Sequence, residues 1–319
     1  MRFLLLGLGF FSLTATFAQT QFSLLSPDQT HISFNNTLRE TEKINVLVYQ
    51  YLYNGGGVGV ADINNDQLPD IYFSGNQVPD KLYLNNGDMQ FTDISAAAGI
   101  DSYSGWHTGV SMADVNGDGY IDLYVCRSGP FNAADRKNLL FINNGNNTFA
   151  ERAAEYGIDD SSFTTMAAFF DYDRDGDLDL FLLNHAVQQY KGFILSDMRK
   201  TRDPFAGNKL LRNDNGHFTD VSEAAGINGS PLTFGLGIGI ADIDDDMWPD
   251  IFVSNDYQER DFLYHNNGDG TFTEIGTEVF GRICPTLPWV AILPISIMMG
   301  TWISSPQTCC PKTTTDRKC

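Results

Sequence analysis

Basic residues and cysteines are scarce in this chain, and few apolar runs are long. Lys and Arg number 20 against 40 Asp and Glu, which gives a formal net charge of −20. Phosphate binding needs clustered basic residues, so the composition argues against nucleic acid and anionic membrane surfaces as partners. Only one cysteine precedes residue 284, and this residue, Cys126, stands in the apolar run LYVC that is typical of a buried strand.

Motifs of the common enzyme classes are also missing. The five histidines show no zinc-site spacing, and neither a G-x-S-x-G elbow nor a Walker loop occurs. The glycines at 235, 237 and 239 precede an Asp-rich loop rather than a helix, so they lack the anion site of a dinucleotide loop. We predict that the chain is not an enzyme. The alternative is the scaffold of a secreted polysaccharide-acting enzyme, since paired Asp carboxylates can hydrolyse glycosides.

The first eighteen residues are typical of a secretory signal peptide. Met1-Arg2 is a positive start, residues 3–11 are uncharged and apolar, and Thr16-Phe17-Ala18 is a small-residue cleavage site. The apolar run is too short to span a bilayer. We therefore expect a mature chain that begins near Gln19, is not inserted in a membrane, and is secreted to the extracellular space or cell surface, which in a bacterium includes the periplasm and the outer-membrane exterior.

The body of the chain is a repeat of four related segments. Each has an apolar pair, the pattern D-x-[ND]-x-D, an Asp eight residues after the first, and an alternating apolar run. The four segments are residues 60–73, 112–125, 169–182 and 240–253. An apolar strand, an Asn-Gly-type turn and a second strand follow each segment, which is a strong hairpin signal. Each period therefore holds about four strands, which predicts an all-β fold of four-stranded propeller blades.

The Asp-rich loops have the residue types of a calcium site. Oxygens at positions 1, 3 and 5 of a tight turn converge on one point, and Ca²⁺ prefers such hard oxygen ligands. An EF-hand would need Glu at position 12 and flanking helices, whereas position 12 here is apolar and the flanks are strand-like. A polar turn without metal is the alternative, because Asp and Asn favour turns. Four such loops at the same position of each repeat favour a calcium site over a polar turn.

The predicted ligands are the side chains at positions 1, 3, 5 and 9 and the backbone carbonyl at position 7. They are Asp62, Asn64, Asp66, Leu68 and Asp70; Asp114, Asn116, Asp118, Tyr120 and Asp122; Asp171, Asp173, Asp175, Asp177 and Asp179; and Asp242, Asp244, Asp246, Trp248 and Asp250. The loops differ at position 6, where a sharp turn favours glycine. Gly119 and Gly176 meet this need, whereas Gln67 and Met247 do not. We therefore expect weaker or more strained sites in the first and fourth loops.

These repeats resemble the VCBS/FG-GAP family of β-propellers, the blade type of integrin α-subunit heads. The segments NGGGVGVADINND (54–66) and TFGLGIGIADIDDD (233–246) carry the resemblance. They are most similar to secreted proteins in which such repeats precede an ASPIC/UnbV domain. The resemblance implies a seven-bladed propeller with Ca²⁺ in the blade loops, adhesion or binding of an extracellular protein or glycan, and no catalysis. Residues 19–280 then form four to five blades, which is an incomplete propeller.

The repeat pattern ends at Gly281. Residues 282–319 contain one acid, Asp316, and four of the five cysteines. A displaced reading frame of the same codons permits MGSDIADINNDG, which would be a fifth Asp loop. We therefore interpret residues 281–319 as an aberrant tail produced by a frameshift. A C-terminal membrane anchor is the alternative, but three prolines disfavour a helix there.

Overall fold

The computed structural model describes residues 22–187, 195–257 and 259–280. The predicted signal peptide and the predicted aberrant tail lie outside these residues. Four antiparallel sheets of four strands each follow one another along the chain. Within every sheet the strands are adjacent in chain order. This arrangement confirms the predicted all-β architecture of propeller-like blades, of which the described residues contain four.

The strand bounds follow the four sequence repeats. Blade one contains β1 (Val58–Ala61), β2 (Asp70–Phe73), β3 (Lys81–Asn85) and β4 (Phe91–Asp93), and blade two contains β5 (Trp106–Ala113), β6 (Asp122–Ser128), β7 (Leu139–Asn143) and β8 (Phe149–Glu151). Blade three contains β9 (Thr164–Phe170), β10 (Asp179–Asn184), β11 (Lys209–Asn213) and β12 (Phe218–Asp220), and blade four contains β13 (Gly235–Ala241), β14 (Asp250–Asn255), β15 (Phe262–Asn266) and β16 (Phe272–Glu274).

Short helical turns follow the outer strands or lie in the connections. They are α1 (Pro27–Thr30), α2 (Ser95–Ala98), α3 (Ala153–Tyr156), α4 (Leu195–Met198) and α5 (Gly276–Val279), with 3₁₀ turns at Gln50–Tyr53 and Ala133–Arg136. The predicted glycine stops after α2 and α3 are confirmed, because Gly99 and Gly157 have φ of 80° and 76°. The third copy, 223–227, is a turn and not a helix. In the described part of the chain no helix is long and apolar enough to cross a membrane.

Apolar side chains fill the spaces between successive blades. Tyr72 and Leu82 of blade one pack with Leu123 and Phe141 of blade two. Equivalent clusters join blade two to blade three and blade three to blade four. These interiors contain most of the buried large side chains, so neighbouring blades stabilise one another by removing apolar surface from water. Cys126 is fully buried there, as predicted.

The first strands of the four blades lie side by side. The Thr108 hydroxyl donates to the Thr164 carbonyl at 2.7 Å, and the Thr165 hydroxyl donates to the Gly235 carbonyl at 3.1 Å. Gly109 makes this close approach possible, because a Cβ there would lie 2.6 Å from the Thr165 carbonyl oxygen. Blades two, three and four are therefore joined along their first strands as well as through their cores.

The N-terminal segment, residues 30–57, lies across one end of the blades. Asn36 and Asn76 exchange hydrogen bonds at 2.6 and 3.0 Å, which fixes the segment to blade one. Further along, Tyr49 and Leu52 are buried in a cluster with Trp106 of blade two and Phe234 of blade four. The sequence repeats gave no indication of this cover.

Candidate metal centres in the Asp loops

The four Asp-rich segments connect the first strand of each blade to the second. We call them loop one (62–70), loop two (114–122), loop three (171–179) and loop four (242–250). In each blade the last residue of the first strand pairs with the Asp at position 9, as in Ala61 with Asp70. All four loops therefore leave their sheets at the same strand end, opposite the N-terminal segment. Strands flank every loop, which confirms the predicted distinction from an EF-hand.

The Asp at position 1 organises each loop. In loop one the Asp62 carboxylate accepts the backbone N–H groups of Asp66 at 3.1 Å and Gln67 at 2.7 Å. The same two bonds recur in the other loops at 2.8–3.1 Å. The carboxylate at position 5 accepts the N–H of position 7 in all four loops. The donors are Leu68, Tyr120, Asp177 and Trp248.

Two positions in each loop have a left-handed backbone. At position 6, φ is 88° for Gly119 and 100° for Gly176, and it is 70° for Gln67 and 74° for Met247. Residues with a Cβ rarely adopt this conformation, so the predicted demand for glycine is confirmed and loops one and four contain the predicted strain. Position 4 is also left-handed in every loop, a feature that the sequence pattern did not reveal.

The Asp at position 9 is buried in every loop and ties the loop to the sheet. One carboxylate oxygen accepts the N–H of position 2 at 3.0 Å, as Asp70 does from Ile63. The other oxygen accepts the N–H of the Asn that ends the third strand, at 2.8 Å. The residue at position 2 is apolar or aromatic and faces the core in loops one to three, which places its N–H beside the carboxylate.

Burial makes the ionised form of these position-9 carboxylates costly. Loss of hydration raises the pKa of Asp122 to about 6 and that of Asp179 to about 7, although the backbone donors oppose this rise. Burial also raises the pKa values of Asp70 and Asp250. Neighbouring loop carboxylates add repulsion in each case. A bound cation would remove both penalties.

In loops three and four, the carboxylates at positions 1, 3 and 9 form close groups. In loop three, oxygens of Asp171, Asp173 and Asp179 lie within 4.8 Å of one another. In loop four, the same holds for Asp242, Asp244 and Asp250. Positions 1, 3 and 9 are thus brought together as the sequence pattern predicted.

Loops one and two have an Asn at position 3 instead of Asp. Asn64 Nδ2 donates to the Asp66 carboxylate at 3.0 Å, and Asn116 Nδ2 donates to Asp118 at 2.9 Å. The side-chain oxygens of these Asn residues accept the N–H of position 5 at 3.1 and 2.9 Å. Positions 3 and 5 are therefore in contact in these loops too, with one negative charge fewer.

Loop three provides a direct test of whether the residues suit a cation. Asp173 Oδ1 is buried and has no hydrogen-bond partner among the described residues. It belongs to the same group of carboxylates as Asp171 and Asp179. Burial, with repulsion from Asp175 second, raises the pKa of Asp173. An unpartnered buried carboxylate oxygen is costly, and a divalent cation among these oxygens would satisfy it. The acidic residues of the loop therefore fit a metal ion.

The structure also shows a functional residue type that the sequence analysis missed. The Asn that ends each third strand supports the position-9 carboxylate, and two of these Asn side chains reach the preceding blade. Asn143 Nδ2 donates to the Ile63 carbonyl of loop one at 2.8 Å, and Asn266 Nδ2 donates to the Tyr172 carbonyl of loop three at 2.9 Å. The signal was present, since an Asn precedes the hairpin turn in every repeat.

Fold and loops together define a repeat protein of propeller-like blades with Asp-rich connections. The family model of the FG-GAP-like repeat matches residues 62–125, 131–182 and 242–293. These matches cover more than half of the chain, so the chain belongs to the FG-GAP-like repeat family. The family resemblance predicted from the sequence is confirmed.

Curated relatives match part of the chain. Cartilage acidic protein 1 of Xenopus tropicalis is 33% identical over 159 residues, which cover 48% of this chain and 24% of the relative. The human protein of that name is 32% identical over 138 residues, which cover 43% of this chain and 20% of the relative. The chain thus spans about a quarter or less of the length of these relatives. The crystal structure of the V. cholerae biofilm matrix protein Bap1 matches 68% of this chain and 27% of its own, at 16% identity and a TM-score of 0.36.

Proposed function

We propose that the chain is a secreted module whose Asp loops bind divalent cations, Ca²⁺ above all, and whose calcium-stabilised blades bind an extracellular protein or glycan. The observation that carries the metal assignment is the buried, unpartnered Asp173 Oδ1 among the carboxylates of loop three. The same loop hydrogen bonds recur in all four blades. We therefore extend the metal assignment from loop three to the other three loops.

Calcium is the metal that suits loops one to three. Their predicted ligands are carboxylate, amide and carbonyl oxygens, and Ca²⁺ takes six to eight such oxygens at about 2.3–2.6 Å. The side chains at positions 1, 3, 5 and 9 of these loops and the carbonyls of Leu68, Tyr120 and Asp177 would hold it. Neutralising clustered carboxylates in a chain of net charge −20 lowers their repulsion, so the ion would stabilise the folded state.

An interaction role fits the remaining observations. The relatives of this chain are named as acidic proteins of cartilage, and the amino terminus has the pattern of a secretory signal. In loops three and four, the closely spaced carboxylates belong to the proposed metal sites, so they are not free for acid–base catalysis. We therefore propose a binding protein rather than an enzyme, in the extracellular space or at a cell surface.

Thermal unfolding of the full chain tests the metal assignment. We expect a melting temperature that rises with Ca²⁺ into the millimolar range and falls in chelator, because a ligand at 100 times its Kd adds about 2.7 kcal/mol per site. Asp171→Asn should reduce the rise, whereas Glu223→Gln, which removes the same charge from an exposed site outside the loops, should not. Equal melting curves in calcium and chelator would contradict the proposal.

The binding role needs a separate test. Purified chain is applied to arrays of extracellular-matrix proteins and of glycans, in calcium and in chelator. We expect retention on a defined class that is lost in chelator. If the chain is retained on neither array in calcium, the interaction role is contradicted. The proposal that the Asp loops bind metal would still stand.

A further inference from the structure

Loop four differs from the other loops in the side chain that faces it from the third strand. His265 lies on β15, paired with Thr273 of β16. The equivalent residues of blades one, two and three are Leu84, Ile142 and Arg212, which pair with the matching positions of β4, β8 and β12. A histidine therefore stands beside an Asp loop in blade four alone among the four described blades.

His265 reaches the carboxylates of loop four directly. Its Nδ1 lies 3.2 Å from Asp244 Oδ2 and 3.5 Å from Asp250 Oδ1. Asp246 joins the group, since its carboxylate lies within 4.8 Å of the His265 and Asp244 ligand atoms. Together with the group of Asp242, Asp244 and Asp250, one imidazole and three further carboxylates surround Asp244.

The spacing of these atoms is that of ligands around a small cation. A charge-assisted N–H···O bond is about 2.7–2.9 Å long, which is shorter than both His265 contacts. Four ligands at about 2.0–2.2 Å from a tetrahedral zinc ion are separated from one another by about 3.3 Å. The distances of 3.2 and 3.5 Å match this separation. The imidazole and the carboxylates can therefore share a metal with little rearrangement.

The backbone that carries His265 is held against loop four through the neighbouring residue. Asn266 donates its N–H to Asp250 Oδ1 at 2.8 Å and its Nδ2 to the Pro249 carbonyl at 3.2 Å. These bonds hold the end of β15 against loop four. The His265 side chain is 28% exposed, so a metal ion can reach it from solvent.

We propose that loop four is a mixed histidine–carboxylate site that selects a divalent transition metal of the zinc type, whereas loops one to three select calcium. Imidazole nitrogen suits Zn²⁺ and its neighbours, whereas Ca²⁺ prefers oxygen ligands alone. His265, Asp244 and Asp250 would be the principal ligands, with Asp242 and Asp246 beside them. The proposal rests on the proposed function, because it assumes that the Asp loops are metal sites.

Isothermal titration of the full chain with Zn²⁺, in saturating Ca²⁺ and after alkylation of the accessible thiols, tests this selectivity. Two variants are matched to the repeat. His265→Leu gives blade four the residue of blade one, and Arg212→His gives blade three the residue of blade four. We expect one zinc site in the unmodified chain, a loss of at least about tenfold in its affinity in His265→Leu, and a second site in Arg212→His.

Quenching of tryptophan fluorescence by Co²⁺ shows where the metal binds. Trp248 lies in loop four itself, so bound Co²⁺ should quench its fluorescence in the unmodified chain and much less in His265→Leu. Equal zinc affinity and equal cobalt quenching in the two proteins would overturn the inference. If both still bind calcium, the proposed function stands and only the selectivity of loop four is wrong. If neither metal binds to any variant, the proposed function fails as well.

Discussion

The two ends of the blades differ in the polar groups that they bury or bring close together. At the loop end, carboxylates crowd within single turns, and their repulsion is relieved by backbone N–H groups and, on our proposal, by metal ions. At the other end, the N-terminal segment buries neutral polar groups. There the Tyr49 hydroxyl donates to Ser128 Oγ at 3.1 Å, and Ser128 Oγ lies 2.8 Å from His185 Nε2. Stability at the first end should therefore follow metal concentration, and at the second it should follow pH.

The largest expected effect is at the loop end, in Asp179→Ala. This carboxylate accepts the N–H of Tyr172 at 3.0 Å and that of Asn213 at 2.8 Å. Alanine leaves two buried donors without acceptors, so we expect a loss of about 3–4 kcal/mol in the free energy of unfolding. Denaturant unfolding should show this loss already in chelator, because the hydrogen bonds do not depend on the metal, and a larger loss in calcium, because the carboxylate is also a proposed ligand.

Two variants separate this structural role from metal binding. Asp179→Asn keeps one acceptor and no charge, so it should cost less than alanine in chelator and still weaken the calcium response. Asp175→Ala removes an exposed carboxylate, so its cost should appear mainly in calcium. An Asp179→Ala chain as stable in chelator as the unmodified chain would refute the double role of position 9.

At the opposite end we expect a smaller, pH-dependent effect from His185. Its complete burial lowers its pKa to about 4 from an ordinary value near 6.5. The unfolded state therefore binds the proton more tightly, and the stability that the neutral ring supports is present above pH 6.5 and is lost as the pH falls towards 4. The full difference is about 3 kcal/mol. His185→Gln should flatten the unfolding free energy between pH 7 and pH 4.5, and leave the calcium response unchanged.

His217→Gln is the matched control for this pH effect, because His217 is exposed. Its pH profile should coincide with that of the unmodified chain. The polar groups within hydrogen-bond distance of the His185 ring are the Tyr49 hydroxyl, Ser128 Oγ and the Ala186 carbonyl, and the charge of Arg136 disfavours the protonated ring. A His185→Gln chain with an unchanged acid slope would show that other groups govern acid unfolding.

The smallest effects concern the backbone at position 6 of the loops. Gln67→Gly and Met247→Gly should each raise the free energy of unfolding by about 0.5–1 kcal/mol, because glycine relieves the left-handed strain at a modest entropic cost. Gly176→Ala should have the opposite sign. A Cβ there meets no atom within 4 Å, so its cost comes from the backbone alone.

Calcium titration of single-loop variants then ranks the affinities of the sites. Equal affinities would contradict the expected weakness of loops one and four.

The sequence predicted those features of the fold that depend on residues close together in the chain. The spacing of Asp62 and Asp70 predicted a loop between strands, and Gly119 indicated the left-handed turn. Contacts between distant segments followed no such rule. The packing of the N-terminal segment, residues 30–57, depends on contacts of Tyr49 with Ser128 and His185 in other blades. The repeat pattern of the sequence does not indicate these contacts. His265 likewise appeared as one of five scattered histidines, because only strand register places it beside Asp244.

In two blades, an Asn side chain donates a hydrogen bond to the Asp loop of the preceding blade. This contact has a consequence for the order in which the loops are completed. Loop one receives the Asn143 bond only after β7 has formed, and loop three receives the Asn266 bond only after β15 has formed. During synthesis from the amino terminus, each of these loops is thus finished by residues made later. A chain that stops before Asn143 or Asn266 would therefore leave the Ile63 or the Tyr172 carbonyl without this partner, and we expect proteases to cut that loop more readily.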